Sequence, residues 1–131
     1  MTLNPSDRQY TKEHEWLKIQ DAESNLAIVG ITYYAQEQLG DVVFIDMPEI
    51  GSNLVHMEKM GEIESVKAVS DLFSPVSGEV IKTNSELLDR PELINEDPYN
   101  DGWILQVILS DTGELSSLIS ADEYQSFTEQ A

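Results

Sequence analysis

Between Glu62 and Gly78 the chain reads Glu-Ile-Glu-Ser-Val-Lys-Ala-Val-Ser-Asp-Leu-Phe-Ser-Pro-Val-Ser-Gly, and this stretch constrains the fold more than any other. Ile63 and Ser65 alternate in phase against Glu62 and Glu64, and Val76 and Val80 against Ser77 and Glu79, the period of half-buried strands. Two short strands are therefore expected to flank the segment between them. Lys67 then falls at or near a turn.

Other strand signals surround this stretch. Trp16–Ile19 and Leu26–Ile31 are separated by the turn-rich run 21–25 and predict a hairpin. Thr32 is placed to cap a short helix ending at Leu39, with Gly40 as a left-handed stop. Val42–Met47 is β-branched and apolar, ends at Pro48, and reads as a buried strand. Gly51-Ser52-Asn53 turns the chain into a strand over Leu54–Met57. Leu87–Ile94 reads as a loop entering a short helix with Pro91 in its first turn. Trp103–Leu109 is the longest apolar run and is expected at the centre of a sheet.

The end of the chain changes period. Asp111 with Glu114, and Ser120 with Glu123, match the spacing of a capping box, and Leu115, Leu118, Ile119, Tyr124 and Phe127 recur at helical intervals. Many short strands followed by helix predict a mainly β sandwich or barrel with appended helices. Residues 1–9 are polar, contain Pro5 and read as a flexible tail, leaving 10–131 as a single domain.

Composition narrows the chemistry. With 25 Asp and Glu against 7 Lys and Arg, the formal charge is -18, a surface that repels phosphate backbones and anionic lipid. Nucleic acid and membrane are therefore not expected partners. The chain has no cysteine, so any redox sulfur must arrive on a cofactor. His14 and His56 are too far apart to form a ligand-spaced pair, and no metal site is expected. No signal peptide, Arg-rich presequence or bilayer-length apolar run is visible, which reads as a cytoplasmic chain and leaves a mature organellar form open.

A lysine on a hairpin tip is a solvated point charge, a weak nucleophile at neutral pH but an accessible handle for acylation. On spacing alone it is more simply a charge that discourages edge pairing between sheets. The flanking residues favour the handle. Glu64-Ser65-Val66-Lys67-Ala68 followed by Ser70-Asp71 resembles the lipoylation site of glycine cleavage system H proteins. Tyr10–Trp16, Gly30–Thr32, Ala35–Asp41, Pro75–Val80, Asn95–Tyr99 and Gly102-Trp103 resemble the same family in the same order, so the likeness runs from Tyr10 onward. Lys59, within Met57-Glu58-Lys59-Met60, is the rival. The biotin-carrier pattern wants methionine where Glu58 stands, and the glycine common eleven residues after a carrier lysine is Gly78 from Lys67 but Ser70 from Lys59.

The resemblance implies a lipoyl/biotinyl-type barrel-sandwich hybrid with Lys67 on an exposed β-hairpin and C-terminal helices. It implies lipoate as an amide on Lys67, a non-catalytic carrier of the aminomethyl group of glycine, and Glu15 and Asp71 as contacts of the arm. The implied partners are a pyridoxal-phosphate-dependent glycine decarboxylase, a tetrahydrofolate-dependent aminomethyltransferase, dihydrolipoamide dehydrogenase and a lipoate-attaching enzyme. Tyr33 departs from an acidic residue common after Ile-Thr, and Tyr34 stands where some members have histidine. His14 and Trp16 are assigned packing alone. A lipoyl relay to other complexes and an unmodified acidic interaction domain are the competing readings.

Overall fold

The computed structural model describes residues 4–130. In chain order its elements are β1 (Gln9–Tyr10), β2 (Glu15–Asp21), β3 (Leu26–Ile31), α1 (Tyr33–Leu39), β4 (Val42–Asp46), β5 (Asn53–Leu54), β6 (Lys59–Ser65), β7 (Val69–Phe73), β8 (Gly78–Thr83), α2 (Glu86–Asp89), α3 (Leu93–Glu96), β9 (Leu105–Leu109), a 3-10 turn (Thr112–Ser117) and α4 (Ala121–Glu129). The strands form a six-stranded sheet of order β1-β2-β3-β9-β8-β5 and a three-stranded sheet of order β4-β6-β7, with every pairing antiparallel. One core joins them: Leu17, Val29, Val80 and Val107 from the large sheet belong to the same buried cluster as Ile45, Ile63 and Leu72 from the small one. The result is a mainly β, sandwich-like fold with helices appended, as expected. No described helix is long and apolar enough to cross a membrane.

Local chemistry explains several boundaries. Thr32 Oγ1 accepts the Ala35 N–H at 3.1 Å and caps α1, while Gly40 ends it at φ 79° with its N–H donating to Gln36 O. The expected strand at 103–109 is realised as β9, fourth in the six-strand order between β3 and β8. Ser120 and Glu123 make the predicted capping box at the start of α4. Trp16 faces Gly30 across the β2–β3 ladder, and a Cβ at Gly30 would lie 2.6 Å from its ring, so the glycine provides the bed for the indole.

Other expectations are corrected. The partner of β6 is β7, with Glu64 opposite Val69 and Glu62 opposite Asp71; Val80 lies in β8, which pairs with β9 and β5 in the other sheet. The strand expected to be buried over 42–47 is half open, because β4 is an edge strand with a bulge between Val42 and Phe44 that leaves Val43 47% and Phe44 51% exposed. The strand expected at Leu54–Met57 is only Asn53–Leu54, since Met57 turns at φ 62°. Residues 87–94 carry two single-turn helices, with Pro91 between them. Asp111 caps the 3-10 turn by accepting the Gly113 N–H, but Glu114 reaches away to Ser77, accepting from its N–H at 2.7 Å and its hydroxyl at 2.8 Å.

The expected tail over 1–9 also changes. Residues 1–3 lie outside the described residues, whereas the chain joins the fold well before Tyr10. Arg8 is buried with its guanidinium over the rings of Trp16 and Tyr99, and Gln9 is already in β1. Tyr10 itself is fully buried and donates its hydroxyl proton to Pro5 O.

Candidate functional site: a lysine hairpin beside an acid-lined cleft

The β6–β7 hairpin is built around Ser65. Its backbone N–H donates to Ala68 O at 2.8 Å, and its Oγ accepts the N–H groups of Lys67 and Ala68 at 3.3 and 3.1 Å. Val66 N–H donates to Asp41 O at 3.0 Å, which ties the bend to the chain following α1. Three polar anchors thus shape a tip whose next residue, Lys67, is exposed. A Cβ at Gly40 would sit 3.5 Å from Lys67 Cε, so the lysine stem runs over the bare backbone at the end of α1 and its ammonium stays in water.

The rival lysine is held differently. Lys59 Nζ donates to Glu62 Oε2 at 2.6 Å and lies 3.2 Å from Asp71 Oδ1, and these two carboxylates raise its pKa above the ordinary lysine value. An amine that is doubly engaged and more firmly protonated is a poorer acyl acceptor than one held clear of partners.

Next to the hairpin lies a cleft of about 400 Å³. One side is the Glu13-His14-Glu15 segment leading into β2, another is the Ala68–Leu72 edge of the hairpin, and α1 contributes Tyr34, Ala35, Gln38 and Leu39. The buried side chains of Ile31 and Ile63 form its apolar base. Both predicted contacts are here. Glu15 is 1% exposed: Oε1 accepts the Thr11 hydroxyl at 2.7 Å and Oε2 the Phe73 N–H at 3.3 Å. Burial pushes its pKa up to about 8, against the lowering effect of those donors, and no cation pairs with it among the described residues. Asp71 lines the cleft too, but its side chain is 48% exposed and already shared with Lys59.

A family model described as Glycine cleavage H-protein matches residues 8–131. A glycine cleavage system H protein of Symbiobacterium thermophilum is 52% identical over 126 residues, 96% of each chain. The chain belongs to the glycine cleavage H-protein family. Members are the lipoyl carriers of the glycine cleavage system. A second relative with the same description, from Carboxydothermus hydrogenoformans, is 44% identical over 130 residues, 99% of this chain and 98% of its own. A crystal structure of a glycine cleavage system H protein from Mycobacterium marinum matches with a TM-score of 0.86 and 41% identity over 95% of this chain and 98% of that one.

The structure also brings to the H-protein cleft two residues that sequence reasoning left aside. His14, assigned packing alone, lines it at φ 75°, with its ring 4.8 Å from that of Tyr34. Their partners include Tyr124, far along the chain. A histidine two residues before a tryptophan carries no local sign of that placement. Among the described residues there is no group of three or more metal-ligating side chains.

Proposed function

We propose that Lys67 carries lipoate as an amide and that the cleft beside it is where the loaded arm rests between partners. The observation that carries this is the juxtaposition of an exposed amine with a cleft that has an apolar base and a buried carboxyl with no paired cation among the described residues. The parts suit such a group. Methylenes find Ile31 and Ile63, and a protonated amine finds Glu15, whose pKa it would draw down towards the ionised form. Bound there, the dithiolane supplies the thiol–disulfide chemistry that a cysteine-free polypeptide lacks.

The work left to the chain is display, shielding and docking. The chain acts as one lipoyl-carrier domain that includes Arg8 and Gln9, without a catalytic centre of its own, in the cytoplasm. The cargo is the aminomethyl group of glycine, received from the pyridoxal-phosphate-dependent decarboxylase and delivered to the tetrahydrofolate-dependent aminomethyltransferase. Dihydrolipoamide dehydrogenase restores the arm, and a lipoate-attaching enzyme installs it. Tethering raises the local concentration of the group at each docked partner. The lipoylated chain is expected to support glycine-dependent carbon dioxide exchange by purified decarboxylase. A lipoylated chain inert in that assay would be a relay of lipoate to other complexes.

Glu15→Gln gives a second test with two readouts. In the aminomethyl-loaded protein it removes a charge-assisted contact and is expected to shorten the lifetime of the cargo by roughly tenfold. Asp71→Asn, altering a half-exposed carboxylate shared with Lys59, is expected to shorten it by about twofold or less. In the unloaded protein the sign reverses for stability. From its ordinary 4.5 up to about 8, the folded state keeps a proton on Glu15 that the unfolded chain releases, so stability falls as pH rises through that window. Relative to Glu15→Gln, wild type should therefore lose on the order of a few kcal/mol between about pH 5 and about pH 9 in thermal melts. Parallel pH profiles of the two proteins would remove the buried acid from the account.

A further inference from the structure

The C-terminal helix reaches the cleft through one hydroxyl. Tyr124 on α4 is fully buried and stacked on Tyr10 with ring centroids 4.9 Å apart. Its Oη lies 2.7 Å from His14 Nδ1 and 2.8 Å from Thr32 Oγ1. His14 belongs to the acidic side of the cleft, and Thr32 caps the helix that forms another side. The two are joined a second time by the Thr32 N–H donating to His14 O at 3.1 Å.

The distances admit either proton direction along the three groups, and the one that gives both hydroxyl protons an acceptor runs from Thr32 to Tyr124 to His14. Thr32 Oγ1 accepts the Ala35 N–H at 3.1 Å and keeps a second lone pair, and in that arrangement its own proton goes to Tyr124 Oη. Tyr124 then gives its proton to His14 Nδ1, and the imidazole proton is left on Nε2. His14 stands at φ 75°, a backbone conformation that a side-chain-bearing residue keeps only where its surroundings hold it. The rings of Tyr34 and Phe127, at 4.8 and 6.1 Å, pack against the imidazole.

We propose that Tyr124 is a positioning residue for the cargo cleft. Its hydroxyl selects one tautomer and one orientation of His14, so that the wall beside Glu15 presents a neutral imidazole rather than an imidazolium to an ammonium group. The chemical sense is electrostatic. An imidazolium next to the resting ammonium would repel it, whereas a ring whose Nδ1 is engaged as an acceptor resists taking up a second proton. Burial of His14 acts in the same direction, lowering its pKa below the ordinary histidine value against the opposing pull of Glu13. The proposal rests on the reading of the cleft as the resting place of the arm. It adds that α4, whose Tyr124 lies 109 or more residues from the Glu13–Glu15 side, is part of that device.

The test compares Tyr124→Phe with Tyr10→Phe. The second variant deletes the matching oxygen from the stacked ring, costing its bond to Pro5 O but touching neither His14 nor Thr32. Imidazole nitrogen NMR on the full chain is expected to show His14 as the Nε2–H tautomer in wild type and Tyr10→Phe, and as a mixture in Tyr124→Phe. The aminomethyl-loaded, lipoylated proteins are expected to show a roughly threefold to tenfold shorter cargo lifetime in Tyr124→Phe alone. A wild-type tautomer or lifetime in Tyr124→Phe, or an equal shortening in Tyr10→Phe, overturns the positioning role while leaving the cleft reading intact. A wild-type lifetime no longer than that of free aminomethyl-dihydrolipoamide overturns both.

Discussion

Lys67→Arg is expected to remove the whole lipoyl increment from the intact mass of protein made in lipoate-supplied cells. Arginine keeps the positive charge and much of the stem, but its guanidinium stays protonated in proteins and offers no free amine to an acyl donor. The hairpin itself should be unaffected. The Ser65 bonds to Ala68 and the Val66 bond to Asp41 are made by neighbours, and residue 67 contributes only its backbone N–H to Ser65 Oγ. Melting and partner-independent properties should therefore match wild type while the modification is lost. Lys59→Arg is the internal control and should keep the full increment, because the Lys59 ammonium, at the start of β6, is bound to Glu62 and to Asp71 of β7. An increment surviving Lys67→Arg would move the attachment elsewhere, and the cleft would then lose its connection to the arm.

Gly78→Ala is expected to be strongly destabilising, although it adds a single methyl group. Gly78 opens β8, opposite Leu109 of β9 on one side and Leu54 of β5 on the other. A Cβ there would lie 2.2 Å from Ile108 O and 2.8 Å from Val107 Cγ2, and backbone on a paired strand cannot rotate aside as a side chain can. Accommodation requires prising β8 from β9 inside the larger sheet, at a cost of about 3 kcal/mol or more. For a domain of this size that is a fall of about 10 °C in the melting midpoint. Gly51→Ala separates this clash from backbone strain alone: φ is 94° there, but nothing lies within 4 Å of the added carbon. It should cost only about 1 kcal/mol. A Gly78→Ala protein that melts with Gly51→Ala would show that the β8–β9 contact yields more easily than its geometry implies.

The elements that sequence patterning anticipated are those whose cause is local. The Thr32 cap, the Gly40 stop and the Ser120–Glu123 box need only backbone N–H groups a few residues away, and all three form. The alternation of Ile63 and Ser65 against Glu62 and Glu64 also survives, because one face of β6 meets the core and the other meets solvent. The elements that were misread depend on distant partners. Val76 and Val80 alternate as a strand should, yet the strand they suggest belongs to the other sheet, because register across sheets is a long-range choice that no local period encodes. Val42–Met47 looked buried from composition, but burial of β4 depended on whether a further strand lay beyond it. Glu114 has capping-box spacing, and it serves Ser77 instead because folding brings that backbone within reach.

The candidate site divides along the same line. The chain alone determined that an acylatable lysine stands in an H-protein-like block, that the polypeptide owns no thiol, and that acidic residues dominate its surface. Only the tertiary structure decided that Glu15 is sealed from water against Thr11 and Phe73 N–H, that Asp71 is shared with Lys59, and that Tyr124 reaches back to His14. The reason is physical: residue identity sets which protons a group can give or take, whereas burial and the nearest partners, supplied by chain segments far away, set at what pH and towards what it does so.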